Sequence, residues 1–236
     1  MKTASKPHNI TDVMRRWSFT LIELLIVVAI IAILAGMLLP ALNAARGKAW
    51  EINCRSNMKQ AMLSISMYAS DNVDYVPRTY DTDYATQWGK RLKDEGYIKN
   101  GNSLVCPTVP PGKFKSDWSN TFGQRSHPGD IRINRGKVKM WDDAMAGQIF
   151  AIPSEAILLG DTVRLRYGKR EQFYSMNVYA AAVGQEITPA YCAHKNKFVN
   201  SAFADGHAEP ASFPMLRKSY ILTCTLYNTL TVVTTQ

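Results

Sequence analysis

The most pronounced pattern in the chain is an uncharged apolar run at residues 24–39. The run is apolar on every face, which is typical of a helix inside a membrane rather than of a helix on the surface of a soluble domain. A bilayer span takes about 20 residues, so the run needs the flanking residues 19–22 and 41–42 to reach that length. This extension brings one carboxylate, Glu23, into the span. An acidic side chain at the bilayer centre costs about 2.5–3.5 kcal/mol, and less near the end of the span, so Glu23 needs a partner or a shallow position.

The helical pattern continues beyond Pro40, which follows the apolar run. Proline bends a helix but need not end it in a membrane setting. Apolar residues then recur at steps of three and four, at Cys54, Met58, Ala61, Met62, Ile65, Tyr68 and Ala69. We therefore predict one helix over about residues 19–70, kinked near Pro40, whose amphipathic second half lies against a globular domain.

The rest of the chain shows short periodic segments separated by turn residues. Residues 88–96 end in glycine and predict a short helix, and residues 107–136 predict a long, mostly irregular insertion. The predicted strands are residues 104–107, 156–161 and 198–204, a return strand after the Asp205-Gly206 turn, and a strand or strand pair within 220–233. A long helix followed by short strands predicts an α+β fold with a small antiparallel sheet packed on the amphipathic half-helix.

This pattern divides the chain into four parts. Residues 1–18 form a basic leader, 19–40 the transmembrane half of the helix, 41–70 its amphipathic half, and 71–236 the globular domain. Lys and Arg stay on the cytoplasmic side of a first membrane helix, so the leader is predicted to be cytoplasmic and the globular domain extracytoplasmic.

Composition and charge refine this picture only slightly. The chain has 236 residues, of which 46% are hydrophobic and 20% charged, as in a folded protein. Its net charge of +9 invites a nucleic-acid interpretation. The basic residues, however, are concentrated in the leader or scattered, and they form no dense basic helix face with interleaved aromatics. We therefore expect no nucleic acid among the partners.

The four cysteines have no spacing typical of a zinc site or a redox motif. An extracytoplasmic domain permits disulfides, and Cys54 with Cys106 is the preferred pair. The alternative is that these cysteines are small buried hydrophobic residues. Sequence alone does not decide between the two interpretations.

Three further groups have side chains suited to binding metal ions or to catalysis. His194, Asp205 and His207 could form a metal or acid–base cluster, although an Asp-Gly hairpin turn flanked by hydrogen-bonding histidines is the more ordinary interpretation. Calcium could bind Asp71, Asn72 and Asp74, or Asp81 and Asp83, but neither spacing matches an EF-hand, and a helix stop and a turn are favoured. No serine, cysteine or aspartate lies in a nucleophile motif. We therefore predict no cofactor and no enzymatic activity.

The segment Phe-Thr-Leu-Ile-Glu-Leu at residues 19–24, which follows basic residues and precedes the apolar run, closely resembles the processing site of type IV prepilins and type II secretion pseudopilins. The resemblance implies that a prepilin peptidase cuts between Ser18 and Phe19 and methylates the new amino group of Phe19. It implies that the Glu23 carboxylate meets the amino terminus of a neighbouring subunit, which gives the buried charge a partner. The family usually has glycine where this chain has Ser18.

A narrower resemblance is strong over residues 15–77, patchy over 78–210 and absent over 211–236. Short segments from Leu38 to Pro77, together with Gly96-Tyr97-Ile98, Cys106-Pro107 and Pro153-Ser154-Glu155, are similar to prepilin-like proteins of planctomycete- and lentisphaera-type bacteria. His194 and Asp205-Gly206 are similar to a His-X9-Asp-Gly motif associated with processing in that group. Here ten residues, 195–204, separate the histidine from the aspartate, one more than in the motif.

The resemblance implies a structural subunit that is inserted in the inner membrane and assembled with other pilin-like subunits into a type IV pilus or type II secretion pseudopilus. Two alternatives stay open. In one, residues 15–44 are a secretory signal peptide cut after Ala44, although Glu23 and the lack of a clear A-x-A site argue against it. In the other, the helix only anchors an extracytoplasmic enzyme or binding protein.

Overall fold

A computed structural model describes residues 20–80, 86–125, 131–134, 137–142, 147–166, 169–176, 190–194, 198–218, 223–226 and 232–234. The chain divides into two compact units, Met1–Ala45 and Arg46–Gln236. Each unit is described by itself below.

The first unit contains the beginning of helix α1, Leu21–Asp71, which runs without interruption through Pro40. The large apolar side chains from Leu21 to Leu42 are all exposed. By length and composition this is one helix that could cross a membrane. The side chains there are apolar on every face, so burial of this segment requires lipid or other protein chains.

The second unit contains the remainder of α1, which buries one stripe of its surface. The buried apolar residues of this stripe are Cys54, Met58, Ala61, Met62, Ile65, Tyr68 and Ala69. These are the residues that the three- and four-residue spacing predicts, so the amphipathic half-helix is confirmed. Helix α1 ends at Asp71, and Asn72 caps it by donating its side-chain amide to the Tyr68 carbonyl at 2.9 Å.

Two further helices and a 3₁₀ helix lie in the second unit: α2 (Trp88–Asp94), α3 (Phe213–Lys218) and the 3₁₀ helix Gly101–Leu104. Helix α2 confirms the short helix predicted at residues 88–96. Gly96 follows it with a φ of +88°, a left-handed conformation that glycine adopts without a side-chain clash. The predicted strand at residues 104–107 is wrong: its first residue ends the 3₁₀ helix, and residues 105–107 do not form a strand, although Val105 is extended.

The strands are β1 (Gly123–Arg125), β2 (Arg132–Asn134), β3 (Lys137–Asp142), β4 (Gly147–Ala151), β5 (Ile157–Gly160), β6 (Arg164–Arg166), β7 (Lys169–Glu171), β8 (Ser175–Met176), β9 (Ala190–Cys192), β10 (Val199–Phe203), β11 (Ala208–Ala211), β12 (Thr223–Leu226) and β13 (Val232–Thr234). The main sheet has the order β11-β10-β5-β1-β8. Three smaller sheets have the orders β13-β12-β9, β2-β3-β4 and β6-β7.

The α+β prediction is confirmed, with one correction to the sheet. The main sheet is mixed rather than purely antiparallel, because β8 runs parallel to β1. Strand β5, the β10–β11 hairpin and the β12–β13 pair confirm predicted strands. The interval 107–136 is not wholly irregular, since it contains β1 and β2.

The core of the second unit joins the α1 stripe to the short helices and the main sheet. One hydrophobic core contains Met58 and Met62 of α1, Trp88 and Leu92 of α2, and Phe122, Leu158 and Leu159 on or beside the sheet. The indole nitrogen of Trp88 donates to the Tyr174 carbonyl at 3.1 Å, which satisfies the one polar atom of that ring. The amphipathic half-helix is therefore covered by residues of the chain itself.

Candidate functional site

The N-terminal segment begins with a capped helix. The Thr20 backbone N–H and the Thr20 hydroxyl both donate to Glu23 Oε2 at 2.8 Å, and the Glu23 N–H donates to Thr20 Oγ1 at 3.2 Å. This reciprocal arrangement is a capping box, in which the first-turn carboxylate satisfies donors that a helix end leaves free. Ser18 and Phe19, the residues of the predicted processing site, lie outside the described part of the chain.

The capping box changes the interpretation of Glu23. The family resemblance implies a partner for this carboxylate on a neighbouring subunit, and the structure gives it a local partner in Thr20. Thr20 was not among the predicted site residues. Its signal was present in the sequence, because Thr-x-x-Glu ahead of an apolar run is the signature of a capping box.

A second set of functional side chains lies in the interior of the second unit. Cys54 lies on the buried stripe of α1, and Cys106 follows the 3₁₀ helix by two residues. Asp161 directly follows the fully buried strand β5, and His194 follows β9 by two residues and forms a β-bridge with Phe198. Four segments that are distant in sequence therefore each contribute one side chain.

The four side chains approach one another closely. Cys54 Sγ lies 3.4 Å from Asp161 Oδ1 and 3.8 Å from Oδ2. Cys106 Sγ lies 3.7 Å from His194 Nε2, and that nitrogen lies 3.7 Å from Asp161 Oδ2. One candidate ligand atom from each residue lies within 4.8 Å of all the others. We call Cys54, Cys106, Asp161 and His194 the buried cluster.

Burial dominates the electrostatics of the buried cluster. Cys54, Cys106 and Asp161 are fully buried, and the His194 side chain is 9% exposed. Burial, followed by the charge of Cys106, raises the pKa of the Asp161 carboxyl well above its ordinary value. Burial and the hydrogen bond with Cys106 likewise raise the pKa of the Cys54 thiol.

The pKa of the Cys106 thiol is shifted in the opposite direction, below its ordinary value. Burial opposes ionisation of this thiol, but hydrogen bonds with Cys54 and His194 outweigh burial and hold the pKa of Cys106 well below the ordinary thiol value. Cys106 Sγ also lies 3.1 Å from the Thr108 hydroxyl. Within the buried cluster, the Cys106 thiol therefore ionises readily, whereas the Cys54 thiol and the Asp161 carboxyl group favour their neutral forms.

The predicted disulfide between Cys54 and Cys106 is not formed in the structure, where both are free thiols. The two residues are neighbours, as the pairing requires, but each sulfur has other partners. Cys54 Sγ lies against the Asp161 carboxylate, and Cys106 Sγ lies against the His194 ring and Thr108.

The structure places His194 apart from Asp205 and His207, so the three residues do not form the candidate metal or acid–base cluster. His194 belongs to the buried cluster. Asp205 and His207 lie in the turn between β10 and β11, where Asp205 Oδ1 accepts from the His207 N–H at 3.1 Å and lies 2.5 Å from its ring Nδ1. The His207 ring also stacks on Phe203, with centroids 4.2 Å apart. Both turn side chains are partly exposed, and their contacts are those of a hydrogen-bonded hairpin turn.

The candidate calcium residues at the end of α1 have local partners. Asp71 accepts from the Tyr97 hydroxyl at 2.9 Å, Asn72 caps the helix, and Asp74 has a φ of +67° in the turn that follows. Such contacts are typical of a helix stop. Asp81 and Asp83 lie outside the described residues.

Comparison with known proteins concerns the N-terminal segment. Residues 18–39 match the family model described as the prokaryotic N-terminal methylation motif. The chain is similar to the type IV wide pilus major component PilA4 of Thermus thermophilus, with 51% identity over 57 residues. The N-terminal segment of the chain is therefore type IV prepilin-like. The match to PilA4 covers 24% of this chain and 44% of that protein, so the chain spans less than half of its relative. No solved structure gives a significant match.

The comparisons and the geometry agree on which part of the chain is prepilin-like. The matched residues 18–39 include the capping box of Thr20 and Glu23 and most of the exposed apolar part of α1. The buried cluster lies outside that match.

Proposed function

We propose that this protein is a pilin-like structural subunit that is processed by a prepilin peptidase and assembled through α1 into a type IV pilus or a type II secretion pseudopilus. The observation that carries the proposal is the methylation motif at residues 18–39, continued by a helix whose apolar side chains are exposed from Leu21 to Leu42. Such a surface needs lipid before assembly and neighbouring helices after it.

The proposed processing site is the bond between Ser18 and Phe19, and Phe19 is the residue that becomes methylated. The match to the methylation motif begins at Ser18, so it includes both residues. Serine is small, as the usual glycine is, and we propose that the peptidase accepts it at a reduced rate.

The proposed location before assembly is the inner membrane, with a cytoplasmic leader and an extracytoplasmic globular unit. The leader contains the basic residues Lys2, Lys6, Arg15 and Arg16 and precedes the one described helix that could cross a membrane. Basic residues on the N-terminal flank of a first span favour this orientation.

We propose that Glu23 has two successive partners. Before assembly, Thr20 satisfies the carboxylate through the capping box. In the filament, the amino group released at Phe19 of a neighbouring subunit provides a cation in a medium where an unpaired charge is costly. The axial offset between neighbouring subunits that pairs these two charges is then favoured over other offsets. Glu23 is therefore a residue that sets the register of the subunits in the filament.

The alternative proposal is a single-span protein that uses α1 only as an anchor for an extracytoplasmic binding protein or enzyme. The buried cluster is the observation that favours it, because close cysteine, histidine and aspartate side chains can bind ligands. Under this alternative, variants at Glu23 do not affect the function of the globular unit.

The test compares three variants for processing and for recovery in sheared surface filaments. Glu23→Ala removes both the cap and the charge, whereas Glu23→Gln keeps an oxygen that can accept the cap hydrogen bonds and removes the charge. Thr20→Val removes the hydroxyl of the cap and keeps the charge. We expect all three variants to be processed, both Glu23 variants to be missing from filaments, and Thr20→Val to assemble.

Two outcomes contradict the proposal. Normal filaments from both Glu23 variants would remove the register-setting role. Absence of the wild-type chain from every filament and pseudopilus fraction, while it remains in the membrane, would favour the anchored alternative.

A further inference from the structure

We propose that Cys54, Cys106, Asp161 and His194 bind one zinc ion in a four-coordinate structural site. Two sulfurs, one imidazole nitrogen and one carboxylate oxygen form a donor set that zinc accepts in proteins. The inference does not depend on whether the chain assembles into a filament, because all four residues belong to the second unit.

The spacing of the donor atoms fits a tetrahedral ion. Zinc bonds of about 2.3 Å to sulfur and about 2.0–2.1 Å to nitrogen or oxygen place tetrahedral ligands about 3.3–3.8 Å from one another. With Asp161 Oδ2 as the ligand oxygen, that oxygen lies 3.8 Å from Cys54 Sγ and 3.7 Å from His194 Nε2, and His194 Nε2 lies 3.7 Å from Cys106 Sγ. The remaining distances are below 4.8 Å, so small side-chain adjustments close the site.

The identity of the donors selects the class of metal. Calcium and magnesium prefer oxygen ligands, six or more in number for calcium, and the buried cluster offers one carboxylate. Thiolate and imidazole ligands in a tetrahedral arrangement favour zinc among the common divalent ions. Because all four positions come from the protein, the site is closed in the manner of a structural site and leaves no position for a substrate.

The burial of Asp161 also favours a cation. A carboxylate removed from water needs a counter-charge or a metal ion. Here the carboxyl group is fully buried, and within the buried cluster it contacts the Cys54 and Cys106 thiols and the His194 ring. Burial without a cation favours its neutral form, so a divalent ion bound by deprotonated Cys54, Cys106 and Asp161 and by neutral His194 supplies the positive charge that an ionised Asp161 needs there.

An entry path leads to the site from one side. A cleft of about 300 Å³ is lined by Trp50 and Glu51 of α1 and extends to His194. Glu51 in that cleft contacts Lys48 Nζ at 3.1 Å and Arg55 at 3.8 Å. His194 is the member of the cluster that this cleft reaches, so an ion entering from solvent meets the imidazole first.

Zinc at this position has a defined structural effect. It ties α1 to the segment after the 3₁₀ helix, to the end of β5 and to the segment after β9. A disulfide between Cys54 and Cys106 joins only the first two of these segments and removes both thiolates from metal binding. The zinc site and the disulfide therefore exclude each other in any one molecule.

The experiment uses the full chain purified in detergent micelles without reductant. Metal is first measured by elemental analysis of the protein as isolated. The protein is then stripped with a chelator and titrated with Zn²⁺ against a competing indicator. Co²⁺ serves as a spectroscopic probe, because tetrahedral thiolate coordination gives intense visible bands and a sulfur-to-cobalt charge-transfer band.

We expect one zinc per chain and the tetrahedral thiolate spectrum with Co²⁺. Loss of a side chain that only orients a metal ligand weakens metal binding about 10–100-fold. Removal of a ligand itself, by His194→Gln or Asp161→Asn, should therefore weaken zinc binding by more than about 100-fold. Cys192→Ser and His207→Gln are the matched controls, since Cys192 is a buried cysteine outside the buried cluster and His207 belongs to the hairpin turn. Both controls should bind zinc as the wild type does.

Three results would overturn the proposal. The first is a chain that binds no stoichiometric zinc and gives no tetrahedral cobalt spectrum. The second is a Cys54–Cys106 disulfide found by peptide mapping of the protein as isolated. The third is zinc binding of unchanged affinity in both His194→Gln and Asp161→Asn. The first two results come from the wild-type chain, so they hold even where a variant does not fold.

Discussion

The two parts of α1 share one continuous helix and differ in what covers them. From Leu21 to Leu42 the large apolar side chains are exposed, whereas from Cys54 to Ala69 one stripe is buried by the chain itself. The first part is apolar on all faces, whereas the second has polar residues such as Arg55, Lys59 and Gln60 outside its buried stripe. Hydrogen bonding along the backbone makes both parts helical, and the distribution of side chains decides which surroundings each part requires.

The difference shows how one element can serve two purposes. The covered part fixes the helix to its own domain through core packing, which does not depend on other molecules. The uncovered part has no covering from the described residues and is free to contact lipid or other chains. Substitutions in the two parts should therefore have different consequences even where the residue types are alike.

The largest expected effect comes from shortening a covered side chain. Met62 is fully buried, so Met62→Ala should lower the free energy of unfolding by about 2–5 kcal/mol. Ile31 is 58% exposed, and Ile31→Ala should change that free energy by less than about 0.5 kcal/mol. Denaturant unfolding of the full chain in micelles measures both. Equal losses in the two variants would contradict the comparison.

The second effect concerns the surroundings of the uncovered part. Ile31→Lys places a charge near the middle of the proposed span and should make insertion less favourable by about 2.5–3.5 kcal/mol. Leu63→Lys is the matched control, because Leu63 is 62% exposed but lies in the second unit. Membrane fractionation with carbonate extraction should show loss of the first variant and retention of the second. Retention of both would show that a charge at position 31 does not hinder insertion, which contradicts the placement of Ile31 near the middle of the span.

The smallest effect is at the start of the helix. Thr20→Val removes the hydroxyl that bonds to Glu23, and loss of a cap costs about 1 kcal/mol. Amide hydrogen exchange in the first turn should accelerate about fivefold, since 1.4 kcal/mol corresponds to a factor of ten. Thr20→Ser keeps the hydroxyl and should leave exchange unchanged. Exchange that is the same in both variants would show that the cap does not stabilise the first turn.

The sequence predicted the features that depend on local spacing. The buried stripe of α1 follows directly from steps of three and four residues, and the β10–β11 hairpin follows from Asp205-Gly206 between two short strands. Gly206 adopts a φ of +94° there, a conformation that glycine tolerates. Strands β3 and β4 were not predicted, although Lys-Val-Lys-Met at the start of β3 shows the alternation that is typical of a strand.

The buried cluster could not be predicted from spacing, because its four residues come from four separate segments. Their proximity depends on how α1 packs on the sheet, which is a tertiary property. One signal was available: Asp161 is the last residue of the apolar strand predicted at residues 156–161. A carboxylate in such a position needs a partner as much as Glu23 does. His194 was instead considered together with Asp205 and His207, which the structure places in a hairpin turn away from the buried cluster.

The most direct test of the proposed function is mass spectrometry of the N-terminus of the chain recovered from cells. We predict that the mature chain begins with N-methylated Phe19, because residues 18–39 form the methylation motif. A chain that begins at Ala45 would show that the apolar segment is a cleaved signal peptide, and a chain that retains Met1 would show that it is an uncleaved anchor. Either result would contradict assembly through a processed α1.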